Sequence, residues 1–341
     1  MSPFHYKLRE TSLCVQVQLS TFTLDVSWGA IYRLELRMLS NYDSRLRYYL
    51  SGGPTYVLLA IAGRFRAIRS SVSSLRRLCW PPSGQSQDIA SALLEAAAPG
   101  AVACSLEADG VYAGLHLAAN VYQEIREALL NRTCYGEGKL EFPFSYREKQ
   151  AAESRYGRRF IIGHYYELPE VRLLARLAGD PFLFQIARCY LGIEPVFVGM
   201  RAWWSFASGA SADEQVRSGQ SFHFDIEDYK ALSVFFYLTD VDGDSGPHVC
   251  IRGSHKDKTL RHILSPVRRR TDDELLRIYG SERMLTMCGV AGFGFAEDTF
   301  CFHKGLHPRN RDRLILQLRY AMKEYGMGSD EKSQAWMAKS G

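Results

Sequence analysis

The second half of the chain alternates between short apolar runs and turn residues. The runs are rich in Val, Ile, Leu, Phe and Tyr, and Gly, Pro, Asp or Asn residues bound them, a pattern typical of β-strands. Several such strands in succession predict a β-sandwich or barrel. The runs cover residues 195–206, 221–226, 231–240, 248–254, 283–290, 299–305 and 313–322.

The first half shows helical periodicity instead. Apolar residues recur every three to four positions in segments that end at Gly or Pro. Pro99 and Gly100 are predicted to end the first helix, residues 133–166 to be irregular, and Thr271 to be the N-cap of a helix inserted between strands. The predicted helices cover 91–98, 118–132, 168–179, 181–192 and 271–280, with one strand at 109–117.

The N-terminal segment differs in charge from the rest. Residues 1–80 contain 11 Lys/Arg and 4 Asp/Glu, whereas the whole chain has a net charge of +5. Residues 12–26 alternate weakly like a strand, and 63–78 are predicted to form a basic amphipathic helix before the break at Trp80-Pro81-Pro82. We predict a solvated extension over 1–84. A partner-docking or membrane-surface helix and a misassigned start codon are the alternatives.

The rest of the chain is predicted to be one domain at 85–325 and a tail at 326–341. The domain has a helical flank (85–193) and a β core (194–325). Because the excess positive charge lies outside this domain, a nucleic-acid partner is not favoured. Eight cysteines without C-x-x-C pairs predict reduced, mostly buried thiols. No run reaches the roughly 18 apolar residues of a membrane span. No secretory signal order is visible either, so we expect the cytoplasm.

The run at 221–226 contains Phe222-His223-Phe224-Asp225. In a strand, residues i and i+2 point to the same face, so His223 and Asp225 would project together. With a third ligand from elsewhere, this pair would form the facial triad of a non-haem iron(II) oxygenase. Alone, the pattern is weak, and a surface His/Asp pair is the simpler alternative.

A second motif strengthens this interpretation. His303 ends the run Asp298-Thr-Phe-Cys-Phe-His, and Arg313 follows ten residues later. If 299–305 and 313–320 form a hairpin with its tip near Pro308, His303 and Arg313 lie opposite each other, roughly 5 Å apart at Cβ. The arginine would then reach a carboxylate bound at the metal, which its guanidinium suits because it makes two parallel hydrogen bonds.

These motifs together resemble the phytanoyl-CoA dioxygenase family of iron(II)/2-oxoglutarate enzymes. The motifs follow one another in the order His-x-Asp, then His, then Arg. The segment 222–255, with its L-T-D, Gly-Pro and G-S-H elements, resembles the central segment of that family. Residues 296–305 together with 313–317 resemble its closing segment. It extends over about 85–322 and is strongest over 195–322. Arg252 departs from it, since proline is common before G-S-H. The resemblance implies a mainly β fold with flanking helices around a double-stranded β-helix (cupin or jelly-roll) core.

The resemblance also implies roles for individual residues. His223, Asp225 and His303 would bind Fe(II), with O2 and 2-oxoglutarate as co-substrates and Arg313 holding the latter. Tyr237 is a further expected 2-oxoglutarate contact, with a core tyrosine as the alternative. The other histidines have lesser expected roles: His307 as the alternative third ligand, His255 as a structural residue or support for a ligand, and His248 as a strand residue.

The retained carboxylate of Asp225 favours oxygenation, because halogenating relatives replace it. The simplest reaction is hydroxylation of a C–H bond of a small-molecule substrate, with release of succinate and CO2. Three alternatives stay open: an iron oxygenase that does not use 2-oxoglutarate, a non-catalytic cupin-like ligand-binding protein, and a metal-dependent cupin isomerase that uses no O2. Fold alone does not select the substrate, and the basic runs at 158–159 and 268–270 are most simply solvated charge.

Overall fold

A computed structural model describes residues 14–19, 22–27, 53–82, 90–95, 97–211, 220–265 and 268–325. The chain divides into two compact units, Met1–Val57 and Leu58–Gly341. The first contains an antiparallel hairpin of β1 (Cys14–Leu19) and β2 (Phe22–Ser27), in the segment predicted to be strand-like. The second contains the motifs that bear chemistry.

Eleven further strands and nine helices are described. The helices are α1 (Gly53–Ala62), α2 (Arg66–Cys79), α3 (Pro99–Asp109), α4 (Ala119–Leu130), α5 (Lys149–Tyr156), α6 (Arg172–Ala178), α7 (Pro181–Leu191), α8 (Leu260–Leu264) and α9 (Asp272–Tyr279). The strands are β3 (Val111–His116), β4 (Thr133–Gly136), β5 (Pro143–Ser145), β6 (Ile162–Tyr165), β7 (Val196–Ser205), β8 (Ala231–Tyr237), β9 (His248–Ile251), β10 (Met284–Met287), β11 (Phe293–Glu297), β12 (His303–Gly305) and β13 (Arg313–Ala321).

The strands of the second unit form two antiparallel sheets. The larger has the order β3-β11-β8-β13-β7-β6-β4-β5, and the smaller has the order β10-β9-β12. From β7 onward the chain passes repeatedly between them: β8, β11 and β13 join the larger sheet, whereas β9, β10 and β12 join the smaller. This alternation is the topology of a double-stranded β-helix, so the predicted jelly-roll core with flanking helices is confirmed.

Alternating side chains give the larger sheet two buried faces. Val234 and Phe236 of β8 belong to the outer core, where α7 contacts β8 and β13. Phe235 and Tyr237 belong to an inner core that also includes Cys250 of the smaller sheet. The inner face therefore lines the space between the sheets, where polar side chains of β8 and β13 also project.

Two secondary-structure predictions in the first half are wrong. The described residues of 91–98 form no helix. Pro99 begins α3 rather than ending an earlier helix, because the N–H that proline lacks would be unpaired at a first-turn position. Residues 133–166 are not irregular, since they contain β4, β5, α5 and β6. Those strands are three or four residues long, too short for a period to appear, and their pairing comes from partners distant in sequence.

The run at 221–226 also differs from the prediction. It forms only isolated bridges, Phe222 with Arg270 and His223 with His303, rather than a regular strand. In contrast, α9 is confirmed, with the Thr271 hydroxyl accepting a hydrogen bond from the Glu274 amide as its N-cap.

The cysteine prediction is wrong in part. None of the seven cysteines whose side chains are described forms a disulfide, but Cys79, Cys104, Cys189 and Cys288 are exposed, and Cys134, Cys250 and Cys301 are buried.

Helix α2 is not part of a solvated extension. Arg76 donates a hydrogen bond to the buried carboxylate of Asp228 at 2.8 Å, and Arg69 donates to the Asp228 carbonyl at 3.0 Å. Arg77 donates to the Leu191 carbonyl at 2.9 Å. The helix thus belongs to the unit that begins at Leu58. Its positive charge, predicted to face water, is largely used in contacts with the domain. Among the described residues, no helix is long and apolar enough to cross a bilayer.

We expect Arg76→Met to lower the free energy of unfolding by about 1.5–3 kcal/mol, the usual contribution of a hydrogen bond to a charged group. Asp228 would lose its cationic partner while keeping the amide of Lys323 as a donor. Urea unfolding measures the change. Arg66→Met, on the same helix, is the control because Arg66 is exposed and donates only to the Lys256 carbonyl. Equal effects of both substitutions would contradict this role for Arg76.

Candidate metal centre

Two histidines are brought together by backbone hydrogen bonds. The amide of His223 donates to the His303 carbonyl at 3.0 Å, and the amide of His303 donates to the His223 carbonyl at 2.9 Å. This antiparallel bridge places the imidazoles side by side, with ring centroids 4.4 Å apart. The segment containing His223 needs no regular strand, because the chain around His303 fixes it directly.

Asp225 completes the cluster. Its amide donates to the Thr299 carbonyl at 2.8 Å, so the same stretch of chain holds both ends of the H-x-D motif. One carboxylate oxygen lies 3.6 Å from Nε2 of His303. Ligand atoms of His223, Asp225 and His303 all lie within 4.8 Å of one another, and no other such group occurs among the described residues. Two imidazoles and one carboxylate gathered in this way can form a facial set of ligands.

Both imidazoles are oriented for metal binding. Nδ1 of His223 lies 2.9 Å from the Ser221 carbonyl, and Nδ1 of His303 lies 3.0 Å from the Cys301 carbonyl. A carbonyl oxygen can only accept a hydrogen bond, so Nδ1 of each ring must donate. In the neutral rings Nε2 then carries the lone pair that a metal requires, and the outer hydrogen bond fixes ring and tautomer.

The ionisation states suit the same role. Desolvation, followed by the effect of His223, lowers the pKa of His303 to about 4, so its ring is neutral at neutral pH. For Asp225, desolvation would raise the pKa, but His223, His303 and nearby arginines outweigh it and the pKa lies below its ordinary value. Its side chain keeps 40% of its surface exposed. The site therefore offers a neutral nitrogen donor at His303 and an anionic oxygen donor at Asp225.

Arg313 is buried on the inner face of β13, where it is 3% exposed. Its guanidinium donates to the Gly246 carbonyl and, at 2.9 Å, to the hydroxyl of Ser205. Among the described residues, no carboxylate lies within ion-pair distance of it, and Nε has no hydrogen-bond partner. Desolvation lowers the pKa of Arg313. A buried cation without an anion is costly, so this position suits an anionic ligand.

The predicted hairpin between 299–305 and 313–320 is wrong. Strand β12 pairs with β9 in the smaller sheet, whereas β13 pairs with β7 and β8 in the larger one. Arg313 approaches β12 across the space between the sheets instead. A Cβ atom on Gly305 would lie 2.9 Å from a guanidinium nitrogen of Arg313. Glycine at 305 therefore leaves the room that the Arg313 side chain occupies.

Tyr237 lies near Arg313, but its hydroxyl already has protein partners. It donates to the Met287 carbonyl and accepts from the His248 amide, each at 2.9 Å. Burial raises the pKa of Tyr237 to about 12, although Arg313 opposes the shift. These bonds tie β8 to the smaller sheet, which is a structural role. A contact with 2-oxoglutarate stays a prediction.

The structure separates the other candidate histidines from the triad. Nε2 of His307 accepts from the Ala210 amide at 3.3 Å, and Nδ1 of His255 lies 3.4 Å from the sulfur of Cys301. Neither belongs to the group of possible metal ligands found among the described residues. Each therefore has a neighbour that explains its position without a metal.

Two residues near the centre were not predicted to belong to it. His248 stacks on His303 with ring centroids 5.4 Å apart, and its Nε2 lies 2.8 Å from a carboxylate oxygen of Glu297. The other carboxylate oxygen of Glu297 lies 4.0 Å from Nδ1 of His303. Desolvation raises the pKa of Glu297 to about 8. The sequence contains one feature that could have indicated Glu297. It is an acidic residue in an otherwise apolar strand, and it lies two residues after Phe295, on the same inward face.

Comparison with known proteins gives only distant likenesses. No family profile matches the chain, and neither does any curated protein sequence. The epimerase SnoN in complex with Fe3+, alpha ketoglutarate and nogalamycin RO is 14% identical, with 65% of this chain and 82% of that chain covered at a TM-score of 0.46. HygX from Streptomyces hygroscopicus with nickel, 2-oxoglutarate and hygromycin B bound is 16% identical, with 63% of this chain and 84% of that chain covered at a TM-score of 0.42. ThoJ, a non-heme monooxygenase in apo form, is 17% identical, with 64% of this chain and 76% of that chain covered at a TM-score of 0.42. At these TM-scores the likenesses do not establish the chemistry of this chain.

Proposed function

We propose that the chain is a non-haem Fe(II)/2-oxoglutarate-dependent oxygenase that hydroxylates a C–H bond of a small-molecule substrate. The observation that carries the proposal is the pairing of a preformed His-Asp-His cluster with a buried arginine that has no acidic partner among the described residues. His303 and Gly305 lie two residues apart on β12, a separation of roughly 7 Å along a strand. The guanidinium of Arg313 lies next to Gly305, 2.9 Å from the point where a Cβ atom of that residue would be. A short dicarboxylate bound to the metal at one end would therefore reach Arg313 with the other.

The residues divide the work between them. His223, Asp225 and His303 would hold the metal on one side and leave the opposite side open. Arg313 would anchor the distal carboxylate of 2-oxoglutarate, and the apolar inner wall with Phe235 would exclude water from the site. Iron(II), 2-oxoglutarate and O2, when bound, supply the oxidation of a C–H bond coupled to formation of succinate and CO2.

The wider assignment follows from the same residues. Membership of the phytanoyl-CoA dioxygenase family is part of the proposal and is supported by the order of the motifs along the chain. A cytoplasmic location also stays a proposal. Arg313 disfavours an iron oxygenase that works without 2-oxoglutarate, because such an enzyme has no co-substrate carboxylate to pair with this buried cation. An isomerase would differ from the proposed enzyme in consuming no O2. The intact triad disfavours a purely ligand-binding role.

Release of labelled CO2 from carboxyl-labelled 2-oxoglutarate tests the proposal without knowledge of the substrate. In air with iron(II), we expect the wild type to release label slowly, even without a substrate. His223→Ala should release none above the background of free iron. Equal release by both proteins would count against enzymatic decarboxylation and in favour of the ligand-binding or isomerase alternatives.

A further inference from the structure

The side chain of Lys258 ends among three phenylalanine rings. Its ammonium nitrogen lies 4.8 Å from the ring centroid of Phe224 and 4.3 Å from the centroids of Phe300 and Phe302. The Phe224 ring meets each of the other two edge to face. Because Phe224 stands between His223 and Asp225 in the chain, its side chain points away from theirs, and the lysine lies behind the metal centre.

The protein stabilises this partly buried charge through carbonyl oxygens and aromatic rings. The ammonium donates to the Ser254 carbonyl at 2.8 Å and also to the Phe300 carbonyl. Among the described residues, no acidic side chain lies within ion-pair distance of it. Desolvation lowers the pKa of Lys258 to about 7. Two carbonyl oxygens and three aromatic faces thus offset the cost of partly removing the ammonium from water.

The contacts of Lys258 join the two segments that carry the ligands. Phe224 belongs to the H-x-D segment, whereas Phe300 and Phe302 belong to the turn that leads into His303. We propose that Lys258 is a positioning residue: its ammonium fixes these two segments against each other, so that the three ligand atoms are already together before the metal binds. The inference rests on the proposed metal-binding role of His223, Asp225 and His303.

Lys258→Met tests this role, because methionine keeps much of the side-chain volume but removes the charge and both hydrogen bonds. We expect the dissociation constant for cobalt(II), measured anaerobically by its visible absorption, to rise about 10–100-fold, as for other residues that support metal ligands. The visible spectrum of the bound cobalt should also change, because the ligands are held less closely to one geometry.

Lys256→Met is the matched control. Lys256 lies in the same loop and also donates to a carbonyl, that of Glu107, but it contacts neither ligand segment. We expect it to bind cobalt(II) like the wild type. Without metal, the melting temperature of Lys258→Met should change little, because the loss of two hydrogen bonds is offset by the removal of a partly buried charge. A reduced melting temperature with unchanged cobalt affinity would show a merely structural role and overturn the inference.

The possible outcomes distinguish a failure of this inference from a failure of the proposed function. A wild type that binds cobalt(II), together with a Lys258→Met protein that binds it equally tightly and with the same spectrum, overturns only the role of Lys258. A wild type that binds no cobalt(II) overturns both. If Lys258→Met does not fold, Lys258→Gln serves instead, because its amide can still donate to one carbonyl. The cobalt affinity of Lys258→Gln is expected to lie between that of the wild type and that of a ligand-deleted protein such as His303→Ala, and an affinity equal to the wild type's would overturn the inference.

Discussion

His303→Ala is expected to weaken metal binding by more than about 100-fold, beyond the 10–100-fold typical of residues that only support ligands. His303 supplies one of three ligand atoms, and because its backbone bridge to His223 does not involve the side chain, the variant should keep the other two ligands in place. Anaerobic titration with cobalt(II), followed by visible absorption, measures the loss. His223→Ala and Asp225→Ala should behave in the same way.

His307→Ala is the matched control for this experiment. It removes the same side chain four residues further along, where Nε2 accepts a hydrogen bond from the Ala210 amide. We expect metal affinity like that of the wild type. Loss of binding in His307→Ala with retention in His303→Ala would reverse the ligand assignment.

Arg313→Met is expected to bind the metal normally but to bind 2-oxoglutarate at least about 30-fold more weakly. Removing one partner of a buried, hydrogen-bonded charge pair costs about 2–5 kcal/mol. Titration of 2-oxoglutarate into the metal-loaded protein measures the change. The variant without ligands should be no less stable than the wild type, because within the described part of the chain the buried arginine has no acidic partner.

Arg311→Met provides the comparison for Arg313. Arg311 lies two residues earlier, has a half-exposed side chain and pairs with Asp242. Its replacement should leave the affinity for 2-oxoglutarate unchanged. Unchanged affinity in Arg313→Met as well would remove the reason to assign 2-oxoglutarate as co-substrate, even if the metal site were correct.

Local patterns along the chain predicted much of the fold and selected the candidate ligands that the structure brings together. The apolar runs from residue 195 onward mark the strands of the β-helix, and the spacing of His223 and Asp225 places both side chains on one side. His303 and Arg313 were selected by their order in the chain. The structure gives each of these residues a position consistent with its predicted role.

The errors concern contacts between residues that are distant in sequence. In a double-stranded β-helix, consecutive strands such as β12 and β13 join different sheets, so the hairpin expected from their proximity does not form. The arginines of α2 look solvated in the sequence because the acid that pairs with Arg76, Asp228, lies about 150 residues later. His248 and Glu297 likewise meet only across the space between the sheets.

Local sequence patterns also could not predict the residues that support the candidate metal centre. Nothing near Lys258 in the sequence indicates that its ammonium ends among Phe224, Phe300 and Phe302. The same applies to Gly305, whose missing side chain leaves space for Arg313. Such residues act through shape and contact, which depend on the folded chain rather than on a motif.

The most direct test of the central claim is to add iron(II) and 2-oxoglutarate to the purified wild-type protein without oxygen and to record its visible absorption. We predict the charge-transfer band of the iron–2-oxoglutarate chelate, retained in His307→Ala and lost or much weakened in His223→Ala, His303→Ala and Arg313→Ala. A folded wild-type protein that shows no band would contradict the assignment of a 2-oxoglutarate-dependent iron site.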